Sequence, residues 1–471
     1  MKTFQVLVVL FFQAQIVAAQ NVADVSKKLQ NAVEQLQKDP NCKHSIFSLS
    51  VLNSETNEWI YEYNSEVGLA PASCQKVVTS ATAFALLGNT YQYKTLFQYN
   101  GNIKNGVLHG NLYLIGKGDP TLGSWRFSST KDSLLIQKWM LALQAAGIKA
   151  IEGNIFLDGT ALSYQPIPGG WVWDDIGNYY GAGTWGLNWR ENQYDMVLQS
   201  GDKEGDEVFI VDTKPALANA SLKSKLLSGK KGSGDNAYIY LPPYSANGFV
   251  EGTIPIGEKH FVISGAVANP IWQLKLSLQS ALEKASISYK SIIDQAMLED
   301  VPVAETAFVP LFTHYSPSLD SINYWFMKKS INLYGEALVK TIAIENNEAA
   351  TTAKGVTMVK TFWESKGIEL SALHMVDGSG LSPQNRITTK ALVQVLQFAK
   401  SQSWFSSYYN AFPGYNGMKL KSGTIHGVKS FAGYHTSKAG IPYNIAIIIN
   451  NFNGSSSDIV QKLFKILDEL K

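Results

Sequence analysis

The sequence predicts an α+β fold, an α/β sandwich in which helices pack on a sheet. Segments with helical spacing and segments with strand-like alternation occur together at both ends of the chain. Between them, from about Tyr91 to Glu305, the chain is rich in glycine, tryptophan, tyrosine and short alternating segments, which is typical of β structure. With 471 residues the chain is too long for one ordinary core, so two or more domains are expected.

The N-terminal elements are a helix, a pair of strands and a second helix. Apolar residues from Val25 to Leu36 have helical spacing. Residues 47–51 alternate between apolar side chains and serine, which predicts a half-buried strand, and a second strand returns after a turn. The nearly polar-free segment 77–87 predicts a buried helix that begins at Ser73 and ends at Gly88.

Helices return from about residue 308, after the β-rich middle. The final helix has one apolar face, which we expect to pack on a sheet rather than on a membrane or a partner. The other elements expected are a helix at Leu134–Ala146 in the middle region, helices at Ile322–Ile344, Ala353–Lys366 and Thr388–Ala399, and strands at Ser430–His435 and Tyr443–Asn450.

The first residues predict a signal peptide at residues 1–19. Lys2 supplies the positive charge, Val6 to Phe12 is almost wholly apolar, and residues 17–19 end the segment with small side chains. The apolar run is too short to span a bilayer. We therefore expect an exported protein, periplasmic or secreted, without stable membrane insertion.

Composition argues against several classes of function. The formal net charge is +2, and the lysine-dense segment from Lys223 to Lys231 fits a solvated loop or hairpin, so no nucleic-acid partner is expected. No CxxC, HExxH or Cys/His cluster is present, so we expect no metal and no cofactor. The oxidising compartment of an exported protein permits a disulfide between Cys42 and Cys74. The spacing of the two cysteines in the sequence does not decide whether they are close enough to form one.

The segment Ser73-Cys74-Gln75-Lys76 has the form S-x-x-K. Residues i and i+3 of a helix share a face, so the Lys76 amine can reach the Ser73 hydroxyl. A serine hydroxyl attacks well only when a neighbouring base takes its proton, and burial lowers the pKa of a lysine toward that task. Residues 128–131 and 228–231 match the same pattern, but neither begins a buried helix. Context therefore selects Ser73 as the candidate nucleophile.

Two further motifs follow in order. Ser330-Ile331-Asn332 has the form S-x-N, which residues 321–323 and 245–247 also have, and Lys421-Ser422-Gly423-Thr424 is the only K-[ST]-G in the chain. A glycine at position 423 lets a substrate backbone approach and pair with the edge of a strand. The motifs S-x-x-K, S-x-N and K-[ST]-G in this order are typical of β-lactamases and penicillin-binding proteins.

Nearly the whole chain after the signal peptide resembles the class C low-molecular-mass penicillin-binding proteins, D-alanyl-D-alanine carboxypeptidase/endopeptidases of the penicillin-binding protein 4 type. The resemblance implies a serine β-lactamase/transpeptidase-like peptidase domain. It implies a discontinuous DD-peptidase domain at residues 20–92 and 308–471, and a mostly β inserted region at residues 93–307 with two sub-domains. The segments that carry it are Pro71–Lys76, Gly110–Leu114, Gly116–Pro120, Gly177–Ala182, Met327–Tyr334, Asp377–Ser382 and Lys421–Thr424.

The resemblance also implies catalytic roles. Ser73 would be the acyl acceptor and Lys76 its base. Ser330 would pass a proton toward the leaving group with the help of Lys421, and Asn332 would hold the substrate amide. Water would then hydrolyse the acyl-enzyme, and β-lactams would trap the same serine.

The partner implied by the resemblance is a peptidoglycan stem peptide or cross-link. Ser422 and Thr424 would bind the terminal carboxylate of D-alanine, with Gly423 between them. Asp175 and Tyr180 match family contacts to the diamino-acid end of the stem peptide, although an aromatic-rich lobe contains such residues for other reasons too.

Three residues depart from the family pattern. Ser422 replaces a commoner threonine and keeps the hydroxyl. Ile331 replaces a frequent aspartate, which removes no catalytic side chain. Pro383 stands where many relatives carry an arginine that contacts the diamino-acid end, so the specificity of that pocket stays open, with Arg386 close in sequence.

Alternative functions remain at this point. A β-lactamase or a related esterase would use the same motifs, although a β-lactamase needs a dedicated way to activate the deacylating water. A non-catalytic cell-wall-binding or sensor protein on the same fold is a third hypothesis, and the intact Ser73, Lys76 and Lys421 argue against it. The motifs leave open the preference among carboxypeptidase, endopeptidase and transpeptidase reactions, and the oligomeric state.

Overall fold

The computed structural model describes residues 23–298 and 307–471, so the predicted signal peptide at residues 1–19 lies outside the described residues. Within those two ranges, no helix combines the length and apolar character needed to cross a membrane.

The helices are α1 (23–37), α2 (Lys76–Leu87), α3 (Asp132–Ala145), α4 (Trp173–Ile176), α5 (Pro270–Lys284), α6 (Leu319–Lys329), α7 (Asn332–Glu345), α8 (Thr352–Glu364), α9 (Thr389–Lys400), α10 (Phe405–Asn410) and α11 (Ser456–Asp468). The strands are β1 (Ile46–Asn53), β2 (Glu58–Tyr63), β3 (Lys94–Tyr99), β4 (Asn102–Lys104), β5 (Val107–His109), β6 (Leu112–Ile115), β7 (Ala150–Ile151), β8 (Ile155–Asp158), β9 (Gln193–Gln199), β10 (Phe209–Lys214), β11 (Ser221–Gly229), β12 (Asn236–Tyr240), β13 (Asn247–Pro255), β14 (Phe261–Ala266), β15 (Ile292–Asp294), β16 (Val309–Tyr315), β17 (Leu373–His374), β18 (Arg386–Ile387), β19 (Gly414–Tyr415), β20 (Met418–Ile425), β21 (Val428–Thr436) and β22 (Pro442–Asn450).

A six-stranded antiparallel sheet joins the two ends of the chain. Its strand order is β19-β20-β21-β22-β1-β2, so strands from the beginning of the chain lie beside strands from its end. Helices α1 and α11 cover one face of the sheet, and helices α2 and α9 cover the other. On the central strand β22, Ile447 packs toward α1 and α11, whereas Ile448 packs toward α2 and α9. This arrangement confirms the predicted α+β fold.

The prediction that β1 is half-buried was wrong, because both of its faces are covered. Ser48 and Ser50 are 0% exposed. Their hydroxyls lie 2.5 and 2.8 Å from the hydroxyl of Thr389 at the start of α9. The alternation of apolar residues with serine therefore marks two packing partners, an apolar helical layer on one face and a hydroxyl-bearing helix on the other.

The prediction of one helix from Ile322 to Ile344 was also wrong. Helix α6 ends at Lys329 and helix α7 begins at Asn332. Ser330 between them has a left-handed conformation, with φ 57° and ψ 39°, which a continuous α-helix cannot contain. No glycine or proline marks this break, so the apolar periodicity on both sides concealed it. The helices predicted at residues 134–146, 353–366 and 388–399 correspond to α3, α8 and α9.

The middle of the chain is mostly β structure with two separate apolar cores. One core lies between α3, α5 and a five-stranded sheet of order β15-β8-β6-β3-β16. The other lies between two three-stranded sheets, β10-β9-β14 and β11-β13-β12. Strand β16 pairs with β3, so residues 309–315 belong to a sheet of the middle region. The division into residues 20–92 with 308–471 and an inserted region 93–307 stays a prediction.

The lysine-dense segment is mainly a strand and not the loop or hairpin that the sequence predicted. Lys223 and Lys225 lie exposed on β11, which is an edge strand paired in parallel with β13. Charged side chains on an edge strand oppose edge-to-edge association with another chain.

Cys42 and Cys74 are both buried and unbonded. Cys42 packs on the side of the sheet that holds α1 and α11, and Cys74 packs on the opposite side. Burial raises the pKa of the Cys74 thiol to about 11, so it stays protonated and unreactive although it follows Ser73.

Candidate active site

Ser73 lies in a 3₁₀ turn, Ala72–Gln75, directly before α2 and not in the first turn of the α-helix. Ala72 has a φ of 47°, a conformation that a residue with a Cβ adopts only when its surroundings hold it there. The Ser430 hydroxyl on β21 donates to the Pro71 carbonyl oxygen at 2.6 Å and ties the turn to the sheet. The turn leaves Ser73 partly exposed while its flanking residues are buried.

The Lys76 amine lies among three oxygen atoms. Its Nζ is 2.8 Å from Ser73 Oγ, 2.6 Å from Asn332 Oδ1 and 2.7 Å from the Ser379 carbonyl oxygen. The Lys76 side chain is 0% exposed. Burial lowers the pKa of Lys76 well below its usual value, and the positive charge of Lys421 lowers it further.

These contacts define what each protonation state of the Lys76 amine can do. A neutral lysine amine has two N–H groups and one lone pair, whereas the two carbonyl oxygens can only accept. In the charged amine the three N–H groups match the three oxygens, so Lys76 Nζ donates to Ser73 Oγ as well. In the neutral amine, which burial favours, Asn332 Oδ1 and the Ser379 carbonyl oxygen would take both N–H groups, and the lone pair would face the Ser73 hydroxyl.

Asn332 is held at both ends of its amide. Its Oδ1 accepts from Lys76, and its Nδ2 donates to the Tyr180 carbonyl oxygen at 2.7 Å. Because a carbonyl oxygen only accepts, the second contact fixes which end of the amide faces Lys76. Tyr180 belongs to the β-rich middle of the chain, so that region contributes to the site.

Ser330 lies on the same cleft as Ser73, in the left-handed turn between α6 and α7. Its hydroxyl is not among the hydrogen-bond partners of Lys76 or Lys421 within the described residues. The structure therefore brings Ser330 into the cleft but does not join it to either amine.

A buried loop that begins at Asp377 holds the third partner of the amine. The Asp377 carboxylate accepts from Gln75 Nε2 at 2.8 Å, from the Gly380 backbone N–H at 2.8 Å and from Trp171 Nε1 at 3.0 Å. These bonds fix the loop so that the Ser379 carbonyl oxygen points toward the amine. Asp377 thus positions a group that orients the Lys76 amine.

Glu336 supports the same loop from α7. Both of its carboxylate oxygens lie 3.1 Å from the Gly378 backbone nitrogen. Burial, together with the charge of Asp377, raises the pKa of Glu336 to about 8. On the other side of the loop, a Cβ at Gly380 would clash with the Ala72 carbonyl group, so the loop and the nucleophile turn contact each other through this glycine.

The Lys421 side chain is buried beneath the cleft on β20. It is 1% exposed, and burial lowers its pKa to about 8. Its Nζ donates to the Ser422 carbonyl oxygen at 2.6 Å. A cation that loses its proton near neutral pH is suited to proton transfer.

Gly423 is required by the packing of β20 against the nucleophile turn. A Cβ at this position would lie 2.6 Å from the Pro71 carbonyl oxygen and 3.0 Å from the Cys74 backbone nitrogen. The sequence suggested a different reason, the approach of a substrate backbone, and that role stays a prediction.

The outer edge of β20 is available to an extended peptide. Strand β19 pairs with β20 only at Met418 and Lys419, so within the described residues the edge from Lys421 onward carries no strand partner. An unpaired edge can accept an extended substrate as an added strand. Ser422 and Thr424 lie on this segment, and the Ser422 hydroxyl donates to the Tyr415 hydroxyl at 3.1 Å.

The site opens into a cleft of about 770 Å³. The motifs chosen from the sequence therefore meet in one place, with the two lysines buried behind the cleft. Among the residues that line it are Ser73, Ser330, Ile331, Asn332, Thr424, Asp175, Tyr180 and Pro383.

Asp175 and Tyr180 are neighbours in this cleft. Burial and the charge of Asp174 raise the pKa of Asp175 to about 6. Pro383 also lines the cleft, whereas Arg386 donates to backbone carbonyl groups of its own loop and is not among the lining residues. Arg386 therefore does not take the place of the arginine that Pro383 replaces.

A family model agrees with this geometry. The model of the D-Ala-D-Ala carboxypeptidase 3 (S13) family matches residues 29–470. The chain belongs to this family. It is a serine peptidase and therefore a hydrolase, and the resemblance drawn from the motifs is confirmed.

Curated relatives and a solved structure give the same result for the S13 peptidase. The D-alanyl-D-alanine carboxypeptidase DacB of Haemophilus influenzae is 25% identical over 462 residues, covering 94% of this chain and 90% of the relative. The D-alanyl-D-alanine carboxypeptidase of Actinomadura sp. (strain R39) is 25% identical over 461 residues, covering 92% and 83%. The crystal structure of penicillin-binding protein 4 (dacB) from Haemophilus influenzae has a TM-score of 0.77 and 24% identity, covering 96% of this chain and 99% of that one, so the two share a fold.

Three contributors to the site escaped the interpretation of the sequence. Asp377 begins a segment that carried the resemblance, and an aspartate before Gly-Ser-Gly is the signal that could have marked it as a structural acceptor. Glu336 stands four residues after Asn332 on a mostly apolar helix, and a charged residue among apolar neighbours was its signal. The Tyr180 carbonyl group belongs to the backbone, so no side-chain pattern could reveal it.

Proposed function

We propose that this S13 peptidase hydrolyses the bond between the last two D-alanines of peptidoglycan stem peptides through an acyl-enzyme on Ser73, and that β-lactams acylate the same serine. The observation that carries the proposal is the buried Lys76 amine, which lies 2.8 Å from Ser73 Oγ and is held there by two carbonyl oxygens. Two relatives are D-alanyl-D-alanine carboxypeptidases, and a solved relative is complexed with a β-lactam, which supports the substrate and inhibitor classes.

The first step forms the acyl-enzyme. Lys76 takes the proton from Ser73 as Ser73 Oγ attacks the carbonyl carbon of the penultimate D-alanine. Backbone N–H groups of Ser73 and Thr424 stabilise the negative charge that develops on the carbonyl oxygen. Asn332 holds the substrate amide beside the amine that it orients.

The second step releases the terminal D-alanine. The C–N bond breaks, and its nitrogen receives, by way of Ser330, the proton that Lys76 took from Ser73, while the charged Lys421 assists the transfer. Water then attacks the ester on Ser73, releases the shortened peptide and returns the serine proton. Ser422, Gly423 and Thr424 hold the departing end of the substrate.

The other end of the peptide extends toward the middle region of the chain. Asp175 and Tyr180 line that part of the cleft and provide a carboxyl group and a hydroxyl for the diamino acid. Pro383 supplies no charge there, so we expect a weaker demand for a carboxylate on that side chain than in relatives with arginine.

We extend the proposal to peptide cross-links, because a DD-endopeptidase forms the same acyl-enzyme with a different leaving amine. Peptidoglycan lies outside the cytoplasm, so we also propose export to the periplasm or the exterior, in agreement with the predicted signal peptide at residues 1–19. In this proposal residues 20–92 and 308–471 form the DD-peptidase domain, and the inserted region 93–307 contributes Trp171 and Tyr180 to its site.

The test is the release of free D-alanine from a peptide that ends in D-Ala-D-Ala, measured as kcat/KM against pH. We expect the wild-type protein to release D-alanine, with a kcat/KM that falls above about pH 8. Lys421 has a pKa of about 8, so it is charged below that pH and loses its proton above it. Since leaving-group protonation needs the charged form, kcat/KM should fall by about tenfold per pH unit well above the pKa.

Lys421→Arg is the control for this pH dependence, because a guanidinium keeps its proton throughout the range. Its residual activity should lack the descending limb. No D-alanine release at any pH would contradict the proposed function and favour the non-catalytic hypothesis. A descending limb that persists in Lys421→Arg would assign it to another group.

A further inference from the structure

Lys429 lies directly behind the Thr424 hydroxyl. The two residues are opposite each other in the pairing of β20 with β21. Lys429 Nζ donates to Thr424 Oγ1 at 2.6 Å, and the Lys429 side chain is half-buried. Thr424 in turn lines the cleft together with Ser73. A lysine outside the three sequence motifs therefore contacts the part of the site where the leaving group is proposed to lie.

Within residues 23–298 and 307–471, the charge of Lys429 has no acidic counterpart. Among the residues that the structure describes, none of the salt bridges involves Lys429. Partial burial lowers the pKa of Lys429, and the group that opposes this shift is Cys74, a neutral thiol when protonated. A half-buried ammonium without a counter-ion attracts an anion more strongly than a solvated one does.

The contact also decides how Thr424 can bind a ligand. A threonine hydroxyl has one proton to donate and two lone pairs that accept. Because the Lys429 ammonium can only donate, Thr424 Oγ1 must accept from it, and the Thr424 proton stays free to point into the cleft. Thr424 and Lys429 together then offer an O–H donor and a positive charge, which is the combination that binds a carboxylate.

We propose that Lys429 is a specificity-determining residue that selects substrates whose leaving amine carries a carboxylate on the carbon next to the nitrogen, as a terminal D-alanine does. This inference rests on the proposed function and adds a cation that the three motifs do not contain. The positive charge stabilises the bound carboxylate through Thr424, so substrates without that negative charge gain nothing from it.

The test compares two peptides that differ only at the C terminus, one ending in D-Ala-D-Ala with a free carboxylate and the other in the corresponding amide. Turnover of each is measured for the wild type, Lys429→Met and Lys429→Arg. Lys438→Met is the matched control, since Lys438 is an exposed lysine just beyond β21. Acylation by benzylpenicillin and by its methyl ester provides a second pair of compounds, with and without the carboxylate.

We expect Lys429→Met to lower kcat/KM for the carboxylate peptide by about ten- to hundred-fold, the usual worth of a hydrogen bond to a charged group, and to leave the amide peptide nearly unchanged. Lys429→Arg should retain most of the preference, and Lys438→Met all of it. An equal loss on both peptides would show a merely structural role, and no loss on either would remove Lys429 from the site; each overturns the inference. A wild-type protein that cleaves neither peptide and is not acylated would overturn the proposed function itself.

Discussion

Replacing Ser73 with alanine is expected to lower D-alanine release by at least about 10⁴-fold and to abolish covalent labelling by benzylpenicillin. The Ser73 hydroxyl lies 2.8 Å from Lys76 Nζ, and it borders the cleft. Cys74, the adjacent thiol, cannot replace it because it is buried and protonated. The measurement is kcat/KM for a D-Ala-D-Ala peptide, together with the mass of the protein after exposure to penicillin.

Ser128→Ala is the matched control for this change. Ser128 begins another S-x-x-K sequence, but it is exposed in the segment before α3 and does not line the cleft. Its replacement should leave both activity and labelling unchanged. Covalent labelling that survives in Ser73→Ala would show that the nucleophile is another residue.

Replacing Lys76 with alanine is expected to lower kcat/KM by about two to four orders of magnitude, which is the usual contribution of a general base. The effect should be large because Lys76 is fully buried and its Nζ contacts Ser73, Asn332 and the Ser379 carbonyl group at once. Removing it also leaves the two carbonyl oxygens without their donor. The rate of penicillin acylation is the appropriate measurement, because it reports the step in which Ser73 loses its proton.

Two further variants make the Lys76 result interpretable. Lys76→Met keeps the length of the side chain without the amine, so a comparable loss of activity in a protein with an unchanged unfolding temperature separates catalysis from stability. Lys131→Ala removes the exposed lysine of the alternative S-x-x-K sequence and should have no effect. If both Lys76 variants acylated at the wild-type rate, the base would have to be a different group, and Lys421 would be the next to test.

The sequence predicted most of the fold because periodicity records which faces are apolar. The prediction from periodicity failed where one sequence pattern is compatible with two different structures. The serines of β1 alternate with apolar residues whether the second face meets water or, as here, the Thr389 hydroxyl. The helical periodicity around Ser330 continues through the break because the left-handed conformation of one serine requires no glycine or proline.

The sequence offered candidate residues where chemistry resides in side chains of a recognisable motif, and their catalytic roles stay predictions. Ser73, Lys76, Asn332 and Lys421 meet as their order implied. What the motifs could not show is how the Lys76 amine is oriented, because that depends on backbone carbonyl groups brought together by the fold. The Ser379 carbonyl group reaches Lys76 only because Asp377 fixes its loop.

The middle region gave the weakest sequence signal and makes contacts that the motifs do not reveal. Its alternating, aromatic-rich segments indicated β structure but no role in the site. Trp171 donates to Asp377, and the Tyr180 carbonyl group accepts from Asn332. Both contacts join residues that are far apart in sequence, so only the folded arrangement shows that this region contacts the groups that hold the Lys76 amine.

The most direct test of the central claim is intact-mass spectrometry of the protein before and after benzylpenicillin, followed by peptide mapping. We expect a mass increase of one penicillin molecule, located on the peptide that contains Ser73. An adduct on any other residue, or no adduct with the penicillin unconsumed, would contradict the assignment of Ser73 as the acylated nucleophile. Consumption of penicillin without a stable adduct would instead indicate a β-lactamase.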